Sequence, residues 1–328
     1  MAGWLALHFA IGLAGTWFAR GYALRHALID QPGERRSHDM PTPRGGGIAI
    51  VTSLLVALAW LALSDTARAP LHVAIGAGLM LVAGIGWVDD HRPLSPWLRL
   101  ATHAVAAAIL AWAVLAAGGS LATAAMAFVL AVALVNIWNF MDGIDGLAAS
   151  QAGLVALGYA VFAGGGSVAW MGSALLAACA GFLPLNLPRA RIFLGDVGSG
   201  ALGFAVAALL SMLALQMDRL RAPVLLLPLC AFSVDAALTL GARMVRGERW
   251  WTPHTQHAYQ RWTRRNGRHG MATSAYFVWT AIAVVIMLVA RHWLPVAIMG
   301  IVGVGYLLSA MAWWMLQGMA GGTEGGGE

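Results

Sequence analysis

The chain of 328 residues contains no lysine, only two cysteines and few charged side chains. Charged residues make up 10% of it, whereas a soluble globular domain has about 25%. The shortage argues against an ordinary water-soluble domain of this length. Cys179 and Cys230 both fall inside apolar runs, which favours buried packing for them. Because lysine is absent, arginine alone supplies the positive charge behind the net value of +6.

Hydrophobic residues, by contrast, make up 60% of the chain, and its mean hydropathy is +0.73. Apolar runs of about 20 residues match the thickness of a bilayer. The sequence therefore predicts an all-α polytopic integral membrane protein with ten or eleven transmembrane helices. The runs lie near residues 3–24, 45–64, 71–88, 98–117, 121–140, 148–163, 168–187, 198–217, 222–241, 272–290 and 294–317. They predict one transmembrane domain over residues 1–320 and a disordered Gly/Glu tail over 321–328.

The arginines are distributed unevenly between the two predicted membrane faces. The connections between these runs, numbered along the chain, alternate between the two faces. The odd-numbered connections are 25–44, 89–97, 141–147, 188–197 and 242–271. Together with the adjoining helix ends they hold fifteen of the twenty arginines, and the even-numbered connections hold four. The positive-inside rule then places the odd-numbered connections in the cytoplasm. Five acidic residues and two histidines fall on the same side: Asp89, Asp90, Asp142, Asp145, Asp196, His254 and His257. The polar residues of several separate loops are therefore predicted to meet at one membrane face.

Two glycine-rich motifs precede predicted helices: PTPRGGG at residues 41–47 and FLGDVGSG at residues 193–200. Glycines at a helix start can expose backbone N–H groups to an anion, and Arg44 adds positive charge. The alternative for the first motif is a simple turn entering the membrane. The alternative for the second is capping of the helix by Asp196 or Ser199. The sequence leaves both pairs of interpretations open.

Adjacent carboxylates end the third predicted helix. Asp89 and Asp90 repel each other, so both stay ionised only near a cation or in water. A metal–phosphate site would provide the cation, and an exposed loop would provide the water. The sequence does not choose between these two surroundings.

The motif NIWNFMDGIDGL at residues 136–147 carries polar oxygens along one helix end. Asn136, Asn139 and Asp142 are spaced three residues apart, so they lie broadly on one side of the helix. Amide and carboxylate oxygens suit Mg²⁺, which keeps waters and binds substrate phosphates. A calcium-binding EF-hand needs more acidic positions and a terminal Glu, which this motif lacks. The motif therefore favours a functional site, with Asp145 presented by the following glycine turn.

The arginine-rich connection 242–271 contains His254 and His257. Two histidines three apart could bind zinc, but no cysteine or third histidine lies near, so contact with a diphosphate or a sugar hydroxyl is favoured. The alternative is a solvated amphipathic helix. Asp235, inside the ninth predicted helix, costs roughly 2.5–3.5 kcal/mol to insert into a membrane. It therefore needs a polar partner, and a structural hydrogen bond is its expected role.

Together and in this order, the five motifs resemble the polyprenyl-phosphate N-acetylhexosamine-1-phosphate transferase family. This family includes the bacterial lipid-linked GlcNAc-1-phosphate transferases and the phospho-N-acetylmuramoyl-pentapeptide transferases. The resemblance covers roughly residues 30–265 and implies an active site on the cytoplasmic face. Where many relatives carry two further histidines, this chain has Tyr259 and Gln260. That variant resembles the O-antigen-initiating branch more closely than the peptidoglycan branch.

The resemblance also implies roles for individual residues. It implies Mg²⁺, with Mn²⁺ as a substitute, held by Asp196, Asn139 and Asp142. The catalytic residues that it implies are Asp89, Asp90, Asp142, Asp196 and His257. The expected substrate contacts are Arg44, Arg99, Asn136, Asp145, Asn186, Phe193, His254 and Arg261. Among these, Asp145 is expected to meet uracil, and Arg99 the phosphate of the lipid.

The implied reaction transfers an N-acetylamino-sugar-1-phosphate from a UDP-sugar to undecaprenyl phosphate, by direct displacement and with release of UMP. It would be the first membrane step of cell-surface polysaccharide synthesis, such as that of the O-antigen of lipopolysaccharide, in the bacterial inner membrane. Expected partners are the two substrates and no nucleic acid, with a homodimer as an open alternative. The alternative function is a transporter of anionic metabolites. Transporters, however, bind near the membrane midplane, and the polar residues here gather at helix ends.

Overall fold

The computed structural model describes residues 1–31, 40–249, 251–252, 254–266 and 268–321. This part of the chain forms twelve α-helices and one two-stranded sheet. The helices are α1 (Ala2–Arg25), α2 (Ile48–Ser64), α3 (Ala69–His91), α4 (Pro96–Ala116), α5 (Leu121–Phe140), α6 (Leu147–Ala163), α7 (Gly166–Phe182), α8 (Asp196–Ala214), α9 (Cys230–Val245), α10 (Ala258–Asn266), α11 (His269–Ala290) and α12 (Pro295–Gly321). The strands are β1 (Ile29–Asp30) and β2 (Thr42–Pro43).

The predicted all-α polytopic membrane fold is confirmed. Among the described residues, nine helical segments are long and apolar enough to cross a bilayer, and α2 and α6 are shorter apolar helices. A 3-10 segment, Ala222–Leu229, runs directly into α9, so the ninth span is only partly α-helical. Helix α12 continues to Gly321, and the rest of the predicted tail, 322–328, lies outside the described residues. Arg35 and Arg36, two of the fifteen arginines assigned to the odd-numbered connections, also lie outside them.

Helix α8 forms the centre of the helix bundle. Every residue from Val197 to Ala214 is buried, and α3, α5 and α6 pack around the helix. Small residues allow this close packing: a side chain on Gly203 would come within 2.2 Å of the Leu134 carbonyl oxygen on α5. Because Asp196 is the first residue of α8, it lies at the centre of one end of the bundle.

The short sheet holds the PTPRGGG motif against this end of the bundle. Strands β1 and β2 are antiparallel, with Ile29 opposite Pro43. The Phe193 N–H donates to the Pro43 carbonyl at 2.8 Å, and this bond joins the sheet to the segment that leads into α8. The ends of α3 and α5 and the starts of α8 and α10 therefore surround one region.

Candidate active site

A cavity of about 760 Å³ opens in this region, between α4, α5 and α9 on one side and the loops before α6, α8 and α10 on the other. Eleven of the residues singled out from the sequence line it: Arg44, Asp90, Arg99, Asn136, Asn139, Asp142, Asn186, Phe193, Asp196, His254 and His257. Three others, Asp89, Asp145 and Arg261, do not line it. The motifs therefore meet at one cavity.

Arg99 joins the carboxylates of two helices at the cavity wall. Its Nη1 lies 2.7 Å from Asp89 Oδ2 at the end of α3 and 3.0 Å from Asp196 Oδ2 at the start of α8. Asn139 Nδ2 donates to Asp196 Oδ1 at 2.7 Å, and Arg99 Nη2 donates to Asn139 Oδ1 at 3.3 Å. One guanidinium group thus offsets the repulsion between two carboxylates and holds both in place.

Asp90, the neighbour of Asp89, caps helix α8. Its Oδ1 accepts from the Asp196 N–H at 3.1 Å, and its Oδ2 accepts from the Val197 N–H at 3.2 Å. The side chain is 2% exposed. A carboxylate at a helix N-terminus satisfies N–H groups that have no partner within the helix. Asp90 therefore fixes the position from which Asp196 projects.

The glycines around Asp196 are used for packing and for the turn. The Gly198 and Ser199 N–H groups both donate to the Gly195 carbonyl at 3.0 Å. Gly195 itself has a φ of +73°, and a side chain there would come within 2.5 Å of Asp90 Oδ2. The first four N–H groups of α8 all have protein partners, so the backbone of FLGDVGSG is not free to bind phosphate. The side-chain cap comes from Asp90 on α3, and not from Asp196 or Ser199, the alternative that the sequence offered.

Two backbone N–H groups of the PTPRGGG glycines also have protein acceptors. The Gly46 N–H donates to the Phe193 carbonyl and the Gly47 N–H to the Leu194 carbonyl, both at 2.9 Å. A side chain on Gly47 would lie 2.1 Å from Gly198 Cα. These glycines let two backbone segments approach closely, which favours the structural interpretation here also.

Arg44, in the same motif, keeps a place in the cavity. It lines the wall, and its Nε lies 3.7 Å from Asp90 Oδ1. It also lines a smaller, mainly apolar groove of about 260 Å³ between α1, α2 and α3. The positive charge of this motif, rather than its backbone, is therefore what can contact an anion.

Asp142 is the cavity carboxylate with the least stabilisation from neighbouring protein groups. It accepts no hydrogen bond from the described residues, although it lies on the cavity wall. Burial, and next the negative charges of Asp196 and Asp90, raise the pKa of Asp142 to about 8. Without an added positive charge, this carboxyl group therefore holds its proton at neutral pH.

The residues of the cavity fit a magnesium ion that is bound partly by water and substrate, and they do not form a complete metal site made of protein ligands alone. In the described ranges, no group of three or more His, Cys, Asp or Glu side chains is arranged to hold a metal. Mg²⁺ is usually held by one or two carboxylates together with waters and substrate phosphates. Asp196, Asn139 and Asp142 offer oxygen atoms of this kind on one wall.

Asp145 joins structural elements behind the cavity. Its Oδ1 lies 3.3 Å from His269 Nδ1 on α11, and its Oδ2 accepts from the Ala190 N–H at 3.3 Å. Its backbone carbonyl accepts from the Thr273 hydroxyl at 2.8 Å. The carboxylate of Asp145 points towards these protein groups and not into the cavity. Its position therefore does not support the predicted contact with uracil, which stays a prediction. Asn186, which does line the cavity, accepts from the Gly146 N–H at 2.7 Å.

The histidine connection closes another side of the cavity. His254 and His257 have ring centroids 4.9 Å apart. Burial, and next the charges of His257 and Arg243, lower the pKa of His254 to about 4, so His254 is neutral at pH 7. Arg261 faces a separate pocket of about 240 Å³ together with Trp313 and Gln317. Its predicted substrate contact is therefore not supported by its position.

Several cavity residues had no sequence signal of their own. These are Asp30, Trp97, Trp251, Tyr259 and Gln260. The hydroxyl group of Tyr259 donates to the Phe140 carbonyl at 2.9 Å and so joins α10 to the end of α5. Tyr259 and Gln260 were noticed only as departures from the family pattern.

The chain is similar in sequence to several known proteins. Residues 72–214 match the family described as Glycosyl transferase family 4. The Decaprenyl-phosphate N-acetylglucosaminephosphotransferase of Mycolicibacterium smegmatis is 29% identical over 313 residues, which cover 81% of this chain and 77% of that protein. The chain is thus similar to this family over the segment from α3 to α8.

Two further proteins are similar to shorter parts of the chain. The Probable undecaprenyl-phosphate N-acetylglucosaminyl 1-phosphate transferase of Bacillus subtilis is 30% identical over 212 residues, covering 59% of this chain and 58% of that protein. The Phospho-N-acetylmuramoyl-pentapeptide-transferase of Clostridioides difficile is 31% identical over 199 residues, covering 51% and 59%. The family 4 match runs from α3 to α8 and includes the Asp89 pair, Asp142 and Asp196. The predicted O-antigen branch is not distinguished by these similarities and stays a prediction.

Proposed function

We propose that this protein transfers an N-acetylamino-sugar-1-phosphate from a UDP-sugar to a polyprenyl phosphate such as undecaprenyl phosphate, and releases UMP. The observation that carries the proposal is the composition of the cavity. At its polar end, the cluster of Asp196, Arg99, Asn139 and Asp142 lies where helices α5 and α8 reach the end of the bundle. The other walls continue between apolar membrane helices. Such a cavity suits one reactant from water and one from the membrane.

The apolar walls suit the isoprenoid part of the acceptor. They consist of residues on three helices: Leu100 on α4, Val132, Ala133 and Ile137 on α5, and Ala236, Ala237 and Leu240 on α9. A polyprenyl chain that lies along such walls stays in apolar surroundings of lipid and protein. Its phosphate then meets the donor beside Arg99.

The arginines of the cavity suit the phosphates. Arg44 and Arg99 both line the wall, and a guanidinium group binds phosphate oxygens through paired hydrogen bonds. Phe193 and Asn186 line the same cavity, where an aromatic face and an amide suit a nucleobase. The donor's diphosphate would thus lie between the base-binding side and the acceptor.

In the proposed reaction an oxygen of the lipid phosphate attacks the β-phosphorus of the UDP-sugar. A new P–O–P bond forms to the lipid, and the bond between the β-phosphorus and the UMP oxygen breaks, so that UMP leaves with the electron pair. The second pKa of a phosphate monoester is near 6, so the acceptor is already largely dianionic. A strong base is not needed, which agrees with Asp89 being paired to Arg99 and Asp90 to backbone N–H groups. We assign both carboxylates to positioning.

Mg²⁺ is proposed as the cofactor, held by Asp196 with Asn139 and Asp142. When bound, it would neutralise the charge that develops on the phosphates. The task of the protein residues is to hold the two substrates in line. Arg99 fixes Asp196, and Asp90 fixes the start of α8.

Removal of divalent cations tests this assignment. Purified protein treated with EDTA should lose turnover almost completely, and added Mg²⁺ should restore it, with Mn²⁺ substituting. Ca²⁺, which prefers longer bonds and more ligands, should restore less. Undiminished turnover after removal of the metals would contradict the assignment.

The donor and the pathway are further parts of the proposal. Relatives named for N-acetylglucosamine transfer support UDP-GlcNAc as the donor to test first. We propose a place at the first membrane step of cell-surface polysaccharide synthesis, of the O-antigen type. The excess of arginine on the odd-numbered connections supports a cytoplasmic face for the cavity in a bacterial inner membrane. A homodimer stays a prediction.

A reconstitution assay tests the proposed function directly. Purified protein, undecaprenyl phosphate, Mg²⁺ and a panel of UDP-sugars are incubated, and both UMP and the lipid product are measured. Stoichiometric UMP and polyprenyl-diphospho-sugar with one donor would support the proposal. Uptake of a sugar nucleotide into proteoliposomes with no UMP formed would contradict it and indicate a transporter.

A further inference from the structure

Asp235 on α9 is a buried carboxylate that the proposed reaction does not use. It is 2% exposed, and its oxygens accept hydrogen bonds from the hydroxyl groups of Thr239 at 3.2 Å and Tyr276 at 2.7 Å. Tyr276 belongs to α11, so the carboxylate joins two membrane helices. A carboxylate at this depth is expensive to insert, which indicates that its contacts matter.

The same carboxylate caps helix α10. Asp235 Oδ1 accepts from the Ala258 N–H at 2.9 Å, and Oδ2 accepts from the Tyr259 N–H at 3.3 Å. Gln260 Oε1 accepts from the His257 N–H at 3.3 Å, as the third residue of a capping box does. Asp235 and Gln260 together therefore fix where α10 begins and where His257, just before it, must lie.

The ring of His257 packs against two aromatic rings and lies near one carboxylate. It stacks on Phe140 and on Tyr259, with centroid distances of 6.1 Å and 5.8 Å. Its Nδ1 lies 3.4 Å from Asp235 Oδ1. The residue is 3% exposed but lines the cavity, and within the described part of the chain no hydrogen bond engages Nε2. One ring nitrogen thus faces the carboxylate, and the other remains for a ligand.

We propose that Asp235 is a positioning residue of the active site: it keeps a proton on His257 Nδ1 and thereby presents Nε2 to the sugar or diphosphate of the donor. A carboxylate beside one ring nitrogen favours a proton there and leaves the other nitrogen as the acceptor. The inference rests on the proposed function for the identity of the donor. The arrangement of the ring itself can be measured without any substrate.

A double-mutant cycle separates positioning from simple structural support. D235N should lower kcat by about 10-fold to 100-fold, the range seen when the partner of a functional histidine is removed, with the KM for the lipid unchanged. In an H257A background the same change should cost less than about twofold, because the residue through which it acts is absent. An equal loss of kcat in both backgrounds would overturn the proposal.

Y276F is the matched control. It removes one hydrogen bond to the same carboxylate but leaves the charge of Asp235 and its contact with His257, so kcat should stay within about twofold of the wild type. Melting curves of D235N and Y276F should show comparable losses of stability. If Y276F lowers kcat as much as D235N does, the effect comes from general loosening of α9–α11, and the proposal fails.

A spectroscopic measurement decides the case if the variants fold poorly or if no donor is turned over. Nitrogen-15 NMR of histidine-labelled wild-type protein should show His257 protonated at Nδ1. A neutral ring protonated only at Nε2 would overturn the proposal. Failure of the proposed function would instead show as no UMP release from a wild type whose His257 is protonated at Nδ1.

Discussion

Replacement of Asp196 by asparagine is expected to lower kcat by about a thousandfold, while the protein keeps its fold. Asparagine has nearly the same shape but lacks the charge that the proposed Mg²⁺ site requires. Its amide group would also face Arg99 Nη1 or Asn139 Nδ2, which are both donors. The start of α8 should persist, because Asp90 accepts hydrogen bonds from backbone N–H groups and not from the Asp196 side chain.

The measurement is UMP release by the purified variant, together with its melting curve. D218N is a matched control, because Asp218 is exposed in the connection after α8 and its Oδ1 accepts only from the Leu220 N–H at 3.1 Å among the described residues. D218N should turn over at the wild-type rate. A folded D196N protein with full activity would contradict the metal assignment.

The convergence of the carboxylates was predictable from the sequence because helices that cross a membrane alternate in direction. Once eleven apolar runs and the arginine bias are recognised, Asp89, Asp142 and Asp196 must fall at the same end of the bundle. Their positions along the helices were also predictable, since each motif lies at the border of an apolar run. The identity of the fold followed from patterns of this kind.

The partners of individual side chains were not predictable, because they depend on which helices pack side by side. Asp90 caps a helix that begins 106 residues later, and Asp235 caps one that begins 23 residues later. Arg99 was expected to contact lipid phosphate, yet it already bridges Asp89 and Asp196. No local pattern distinguishes a carboxylate that binds a ligand from one that caps a distant helix.

The direction in which a side chain points at a helix end was equally unpredictable from the sequence. Asp145 and Asp142 are three residues apart in one motif, but only Asp142 lines the cavity. The turn that separates them directs Asp145 towards His269 on α11. Arg261, one turn into α10, likewise faces a different pocket. The glycines of both motifs proved to allow close packing of backbones, which the sequence had left open beside anion binding.

Substitution of Gly86 by alanine should damage both stability and activity, although no predicted site residue is changed. Gly86 lies on α3, and a side chain there would come within 2.4 Å of the Asp196 carbonyl oxygen and 2.6 Å of the Val197 nitrogen. Both contacts are backbone atoms at the start of α8, so one helix must move. Overpacking of this kind costs about 1–3 kcal/mol. A shift of Asp196 by about 1 Å should lower kcat by about a hundredfold.

G84A provides the comparison, because Gly84 lies on the same helix and a side chain there would meet nothing within 4 Å. Both substitutions add one methyl group and the same helix propensity to α3, so their difference isolates the contact with α8. G84A should keep or slightly raise the wild-type melting temperature and leave kcat unchanged, whereas G86A should lower both. Wild-type values for G86A would mean that α3 and α8 are not packed closely at Asp196. The placement of Asp89 and Asp90 beside Asp196, on which the proposed site depends, would then be wrong.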